Sequence, residues 1–336
     1  MGNIFPLSEK PSLFKDTLKL IEKSFHYKDP YSFKIDFAPL VDTSNHHNCF
    51  IMIDENENVI AHIGAKEHFL TLNNVKYSII LLGGIAVDES RRGEGHFQTL
   101  FQDVLAEKRS DTTFFLLWSD QEKLYNKFGF HLCGTQIEIE KEKKISPFLK
   151  TTFANLSDKE KREIRDLYTT SFAQTYLTIE RNDSDWKLIE QITSADLFLR
   201  KENNIIQDYY FMSKGQDLPG VIYEYGSRKD LTLLIDEISS YGKVWLGSDL
   251  VSGENLQFQF FMAPGDLRLF TDFVFQLTSE KFKIRNINPM KQEVFFDFND
   301  ETLSLELPEF LRGVFGPGIF EEIEVKPFFL SGLDSI

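Results

Sequence analysis

"VDESRRGEGHF", residues 87–97, decides how the rest of this chain reads. Two adjacent arginines, Arg91 and Arg92, precede two glycines, Gly93 and Gly95, one residue apart. Before them runs the apolar segment "VKYSIILLGGIAV", 75–87. After them Phe97, Leu100, Phe101, Val104 and Leu105 recur at i, i+3, i+4, i+7 and i+8. The spacing predicts a strand, a basic glycine turn and an amphipathic helix. Glycines let a chain turn tightly and bring its amides close to a ligand. The first turn of a helix offers unpaired N–H donors and a partial positive charge, and arginine adds full charge suited to phosphate. The turn therefore reads as a phosphate or pyrophosphate cradle, or else as an ordinary turn with solvated arginines. It is not the phosphate loop of nucleotide hydrolases, because no lysine follows the glycines. Nor is it a dinucleotide fingerprint, since Gln98 stands where GxGxxG needs its third glycine.

Outward from the loop the pattern mixes helix and strand. "SLFKDTLKLIEKSF", 12–25, has helical spacing, and "CFIMI", 49–53, and "VIAHIGAKEHFLTL", 59–72, flank the turn "DENEN" as a hairpin. Gly83 and Gly84 inside the next strand predict a bulge. "TTFFLLW", 112–118, is a short continuous apolar run and predicts a buried strand. "SDQEKLYNKFGF", 119–130, predicts a short helix with Ser119 and Glu122 as a capping box and Gly129 as its stop. "QIEIE", 136–140, closes the region as an alternating strand, and the charged run "EKEKKISPF", 140–148, reads as a linker. Beyond it helices and strands alternate again, through "SDKEKREIRDLYTTSFA", "DWKLIEQI", "DLFLRKE", "IIQDYYFMSKG", "GVIYEYG", "RKDLTLLIDEISS" and "KVWL", without a second basic glycine loop.

The 336 residues suit more than one domain. The 33 phenylalanines predict aromatic-rich cores. A net charge of −15 repels phosphate backbones and anionic lipid, which excludes nucleic acid and membrane as expected partners, and it suits a cationic substrate as well as plain solubility. Two cysteines without close spacing, Cys49 and Cys133, fit a reducing, cytoplasmic setting. The first residues carry no signal-peptide pattern, and the longest apolar run, "SIILLGGIAV", is too short to span a bilayer. His46 and His47 are adjacent in the polar stretch "TSNHHN", read as solvated, and no metal site is expected.

Strand, loop, helix, strand, then a short helix with Tyr125 ending in "NKFGF", form an ordered set. That set resembles the GNAT acetyltransferase superfamily over about residues 10–140. The superfamily signature there is Gln or Arg, two residues, Gly, one residue, then Gly or Ala. Arg92 and Gly95 match it, whereas Phe97 departs at the last position. A bulky residue there, with a second GNAT-like half, is similar to the Eis-like branch (enhanced intracellular survival proteins). Members of that branch have a catalytic GNAT half, a second half without a cofactor loop, and a C-terminal sterol-carrier-like domain. The expected fold class is α+β, with two tandem GNAT-like domains whose mixed central sheets are flanked by helices. The expected division is a catalytic domain at 1–145, a second domain at 146–281, and at 282–336 a shortened segment resembling part of the sterol-carrier-like domain.

The resemblance implies acetyl-CoA as co-substrate. Backbone groups of Ile85, Ala86 and Val87 would bond the pantetheine arm, with the Val87 amide also a candidate oxyanion donor. Amides of Gly93, Glu94, Gly95, His96, Phe97 and Gln98 would cradle the pyrophosphate, and Arg92 would add charge. Tyr125 matches the superfamily's general acid. The base has several candidates. The α-carboxylate of Ile336, carried by the apolar tail "VKPFFLSGLDSI", is one by analogy with the Eis-like branch; Glu67, His68 or a water are the others. The leading expectation is an N-acetyltransferase acting on a small cationic amine. Acetylation of a protein lysine or N-terminus, and a non-catalytic acyl-CoA-binding regulator, are the alternatives. Formation of a homo-oligomer is left open.

Overall fold

The structure, a computed structural model, describes residues 2–248, 255–288, 291–299, 301–318, 320 and 325–336. In the first half the elements are β1 (Asn3–Pro6), α1 (Phe14–Ser24), α2 (Phe33–Asp36), α3 (Ala38–Val41), β2 (Cys49–Ile53), β3 (Val59–Leu72), β4 (Val75–Val87), α4 (His96–Lys108), β5 (Phe114–Leu117), α5 (Glu122–Tyr125) and β6 (His131–Ile139). The second half contributes β7 (Leu149–Thr151), α6 (Asp158–Leu167), α7 (Ala173–Thr175), α8 (Asp183–Ile189), β8 (Asp196–Glu202), β9 (Ile205–Met212), β10 (Val221–Ser227), α9 (Leu231–Ile238), β11 (Lys243–Leu246), β12 (Asn255–Pro264) and α10 (Leu267–Leu277). The last segment adds β13 (Lys283–Asn288), β14 (Glu293–Phe298), β15 (Glu301–Glu306) and α11 (Leu307–Phe315). The class is α+β.

The two halves share one twelve-stranded sheet, ordered β1-β2-β3-β4-β5-β12-β6-β11-β10-β9-β8-β7. β12 is the junction. It pairs antiparallel with β5, Phe261 opposite Leu117, and with β6, Phe260 opposite Cys133. β11 pairs antiparallel with the end of β6, Val244 opposite Ile139. The strand at 255–264 therefore lies inside the 146–281 division but completes the sheet of the first half.

β4 and β5 read as continuous apolar runs because both their faces are covered. Ile80, Leu82, Phe115 and Leu117 pack with Leu100, Phe101 and Val104 of α4. Ile79, Leu81, Phe114 and Leu116 face the other way, against Leu20 and Ile21 of α1, Phe270 and Phe273 of α10, and Phe328 of the tail. Each such side chain stabilises the fold by roughly 1.5–3 kcal/mol. The second half has its own core around Tyr209, Phe211, Tyr223, Tyr225 and Ile235. The last segment folds as a three-stranded sheet, β13-β14-β15, in which Phe296 of β14 stacks on Phe282 and meets Phe310 of α11 at a tilt.

Two local expectations are corrected. Ser119 and Glu122 form no capping box: the Ser119 hydroxyl accepts from the Gln121 amide at 3.0 Å, and the helix begins after Gln121. This tight turn consumes the hydroxyl before the helix starts. Nor is His46 solvated. It is buried, with its ring 4.8 Å from that of Phe14 and its Nε2 donating to the Val41 carbonyl at 3.2 Å.

Candidate active site

β4 and β5 run parallel and pair only at Ile79–Phe114, Ile80–Phe115 and Leu81–Leu116. Beyond Leu81 the strands part, and among the described residues the edge of β4 from Leu82 to Val87 has no strand partner on that side. On its other edge the Asp88 amide donates to the Ile60 carbonyl at 2.9 Å. Amides alternate along an extended chain, so the Val87 amide points away from β3, into the gap. The predicted bulge is present: His62 pairs with Ala86 but Gly64 with Gly83, so β4 gains a residue there. Gly84 takes φ +57°, and the His62 Nδ1 donates to its carbonyl at 2.7 Å. Burial holds the His62 imidazole down at about 4, so it stays neutral while bracing the bulge.

A cleft of about 890 Å³ opens where the strands part. Gly83, Ile85, Ala86 and Val87 form one wall, and Trp118, Ser119, Asp120 and Tyr125 another. Arg92 and Phe97 stand at its lining. The loop continues from there: Gly93 and Gly95 have φ near +85°, at +85° and +84°, and a Cβ at either would meet no atom within 4 Å. Among the described residues, no acceptor takes the amides of Gly93 to Gln98, so six donors stand free at the start of α4. Arg91 is engaged by Asp54 at 3.5 Å and Glu94 at 3.8 Å, and His96 by Glu94 at 3.0 Å. Arg92 has one loose partner, Glu89 at 3.8 Å, and is half-exposed.

Tyr125 is buried among rings. Phe97 meets it edge-on at 5.9 Å, Phe101 lies at 5.7 Å and Phe261 of β12 at 5.9 Å. The large residue at the departing signature position thus packs against the phenol's ring. Burial pushes the phenol up to about 12, the Ser119 hydroxyl opposing, so the proton stays on the oxygen at neutral pH.

The tail closes the cleft. Ile336 is buried and lines it, together with Ser335. A Cβ on Gly83 would overlap the Ile336 carboxyl carbon and oxygen. Glu67 instead faces outward and accepts from the Ser78 hydroxyl at 2.8 Å. His68 is buried behind the tail, beside Leu333 and Asp334. Neither lines the cleft.

The second half supplies a side of the cleft that no motif announced, through Gln216, Asp217, Leu218 and Trp245. Gln216 stitches the halves together: its side chain donates to the Phe25 and His26 carbonyls at 3.3 and 3.2 Å and accepts from the Lys28 amide at 3.0 Å. Tyr27 lines the same end and donates to Asp36 at 3.0 Å.

The family described as acetyltransferase (GNAT) domain matches residues 8–133. These residues carry the parted strands, the loop and Tyr125. Residues 8–133 therefore match a GNAT acetyltransferase domain, and the chain as a whole has a tandem, Eis-like form of that fold. A probable N-acyltransferase from Enterococcus faecalis V583 is similar in structure at 14% identity and TM-score 0.57, over 91% of this chain and 85% of that one. Eis1 from Mycobacterium abscessus is similar at 10% identity and TM-score 0.57, with the same shares. Yeast N-myristoyltransferase with bound myristoyl-CoA is similar at 10% identity and TM-score 0.51, over 78% of this chain and 82% of that one. No curated protein sequence matches the chain.

The GNAT domain is an acyl-CoA-dependent acyltransferase domain, and its cleft fits that substrate. The free edge of β4 offers amides to a pantetheine arm, and the open space over Gly93 and Gly95, with six free amides, suits a pyrophosphate. No basic glycine loop recurs in the second half. Among the described residues, no three His, Cys, Asp or Glu side chains gather as they would around a metal, and no helix is long and apolar enough to cross a membrane.

Proposed function

We propose that the protein moves an acetyl group from acetyl-CoA to the primary amine of a small cationic acceptor by direct attack. The observation that carries this reading is the meeting of Gly83, Tyr125 and the Ile336 carboxyl end in one cleft. Acetyl-CoA supplies the thioester carbonyl. Backbone groups of Ile85, Ala86 and Val87 hold its arm, amides of Gly93 to Gln98 and the Arg92 guanidinium hold its pyrophosphate, and the Val87 amide faces the carbonyl oxygen. The Ile336 carboxylate takes the proton that the attacking amine must lose. Tyr125 keeps a proton at its hydroxyl for the departing thiolate, which its raised pKa supports.

Asp120 and Asp217 line the cleft, and Gln216, also in its lining, ties the second half to the chain at 25–28. Both features favour a small cation over a protein segment. Thiol release from acetyl-CoA, measured against a panel of amines and peptides, tests the reading. Release with small diamines or aminosugars, and loss of that release when the terminus is amidated, is expected. Release with peptides alone points to a protein acceptor, and tight binding without release to a regulator.

A further inference from the structure

The second half has no cofactor loop, yet it holds a cluster of charges in its core. Arg181 is fully buried. Its Nε and Nη2 donate to the two carboxylate oxygens of Asp334 at 2.9 and 2.8 Å, and its Nη1 and Nη2 to Glu224 at 3.1 and 2.5 Å. Its plane lies over the Tyr168 ring at 4.0 Å and the Trp186 ring at 4.8 Å, and Tyr209 donates to Glu224 at 3.2 Å. Lys214, also buried, donates to the Gly332 and Ser335 carbonyls at 2.8 and 2.9 Å and to the Ser335 hydroxyl oxygen at 2.7 Å. Phe37 lies 4.2 Å beneath it. Asp334 and Ser335 immediately precede Ile336.

We propose that Arg181 and Lys214 are positioning residues: from the second half, they fix the last turn of the chain so that the Ile336 carboxylate stands against Gly83. This rests on the reading of that carboxylate as the base. Phe328, Phe329, Leu330 and Leu333 already bury the tail. Apolar contact is non-directional and tolerates sliding. Ion pairs and hydrogen bonds in a dry core do not, because a slip of one residue leaves a buried charge unpaired. Arg181 takes Asp334 in a planar two-pronged grip, which sets its orientation as well as its distance. Lys214 then meets the chain on both sides of that grip, at residues 332 and 335. Together the anchors count residues from a fixed point to the terminus, and the second half acts as the receptor of the tail.

The test uses the full chain with Arg181→Lys and, separately, Lys214→Met. Two readouts are taken, the rate at which carboxypeptidase releases Ile336, and steady-state kinetics at saturating acetyl-CoA. Both variants are expected to release Ile336 at least about tenfold faster and to lose at least about tenfold in kcat, with acetyl-CoA affinity within about threefold. Wild-type protection and turnover in both would overturn the proposal. A chain with an amidated terminus separates it from the reading beneath it. If that chain turns over normally, the base reading fails and takes this proposal with it. If that chain is slow while the two variants are normal, the anchors alone are refuted. Should either variant fail to fold, Ser335→Ala removes one acceptor of Lys214 and must loosen the tail to a smaller degree; unchanged release of Ile336 there counts against the proposal.

Discussion

The α-carbon of Gly83 faces the carboxyl carbon of Ile336 with no room for a methyl group between them. Gly83 has ordinary strand geometry, unlike its neighbour Gly84 at φ +57°, so space and not backbone freedom requires glycine at 83. Gly83→Ala must displace the terminus while leaving β4 paired with β3 and β5 nearby. Turnover is expected to fall at least about tenfold with a smaller change in acetyl-CoA affinity. Normal kcat in a folded Gly83→Ala chain would separate the carboxylate from the chemistry.

Gly95 sits at φ +84° with open space where a side chain would project. Valine there is strained, and it fills the space over the free amides of α4. Gly95→Val is expected to weaken acetyl-CoA binding at least about tenfold, an effect calorimetry reads directly. Because the second half carries no such loop, the same titration is expected to give one CoA per chain.

The parts of this site that the sequence made legible are those whose causes are local. The apolar run at 75–87, the glycines after it and the 3.6-residue spacing from Phe97 lie within about thirty residues, and strand, cradle and helix follow from them. The bulge at Gly84 was also local. What was hidden depends on distant partners. β12 carries the alternating stretch "LQFQF" as any strand could, and nothing in its residues says that it inserts between β5 and β6. Gln216, Asp217 and Trp245 belong to no motif and gain their place in the cleft only when the halves meet. His46 sits in a polar stretch but is drawn inside by Phe14, thirty-two residues earlier. The tail was half legible: its apolar character announced burial, whereas the Arg181–Asp334 pair spans 153 positions and has no local sign.

Tyr125→Phe keeps the ring packing against Phe97, Phe101 and Phe261 and removes the proton. General acid catalysis is worth roughly 10² to 10⁴ in rate, so kcat is expected to fall within that range while acetyl-CoA affinity stays within about threefold. With the phenol raised to about 12, the wild-type enzyme should show no alkaline loss from Tyr125 below about pH 11. A kcat near normal in the phenylalanine variant would make Tyr125 a packing residue.

Lys214 links the tail to pH. Burial pulls its ammonium down from 10.5 to about 8, while Asp217, Asp36 and Asp334 act in the opposite sense. In the unfolded chain the lysine titrates near 10.4. Below pH 8 both states hold the proton, and this group gives stability no slope. Between about 8 and 10.4 the unfolded state binds more protons, so stability rises with pH across that window. The charged lysine therefore costs the fold about 3 kcal/mol at neutral pH relative to an unshifted one. Tyrosines and cysteines titrate in the same range, so the measurement is a difference: unfolding free energy of the wild type minus that of Lys214→Met, at pH 7 and pH 10. That difference is expected to move in favour of the wild type as pH rises. At the same time a neutral amine has two hydrogens for the three acceptors at Gly332 and Ser335. Either one contact lapses or the Ser335 hydroxyl leaves the Gly332 carbonyl to donate to the nitrogen lone pair; both loosen the last turn, so carboxypeptidase is expected to release Ile336 faster at pH 9 than at pH 7, beyond the protease's own pH dependence on a free peptide. A difference in free energy that stays flat between pH 7 and 10 would mean that Lys214 keeps its ordinary pKa and that its burial against Phe37 and the last turn is looser than the structure has it.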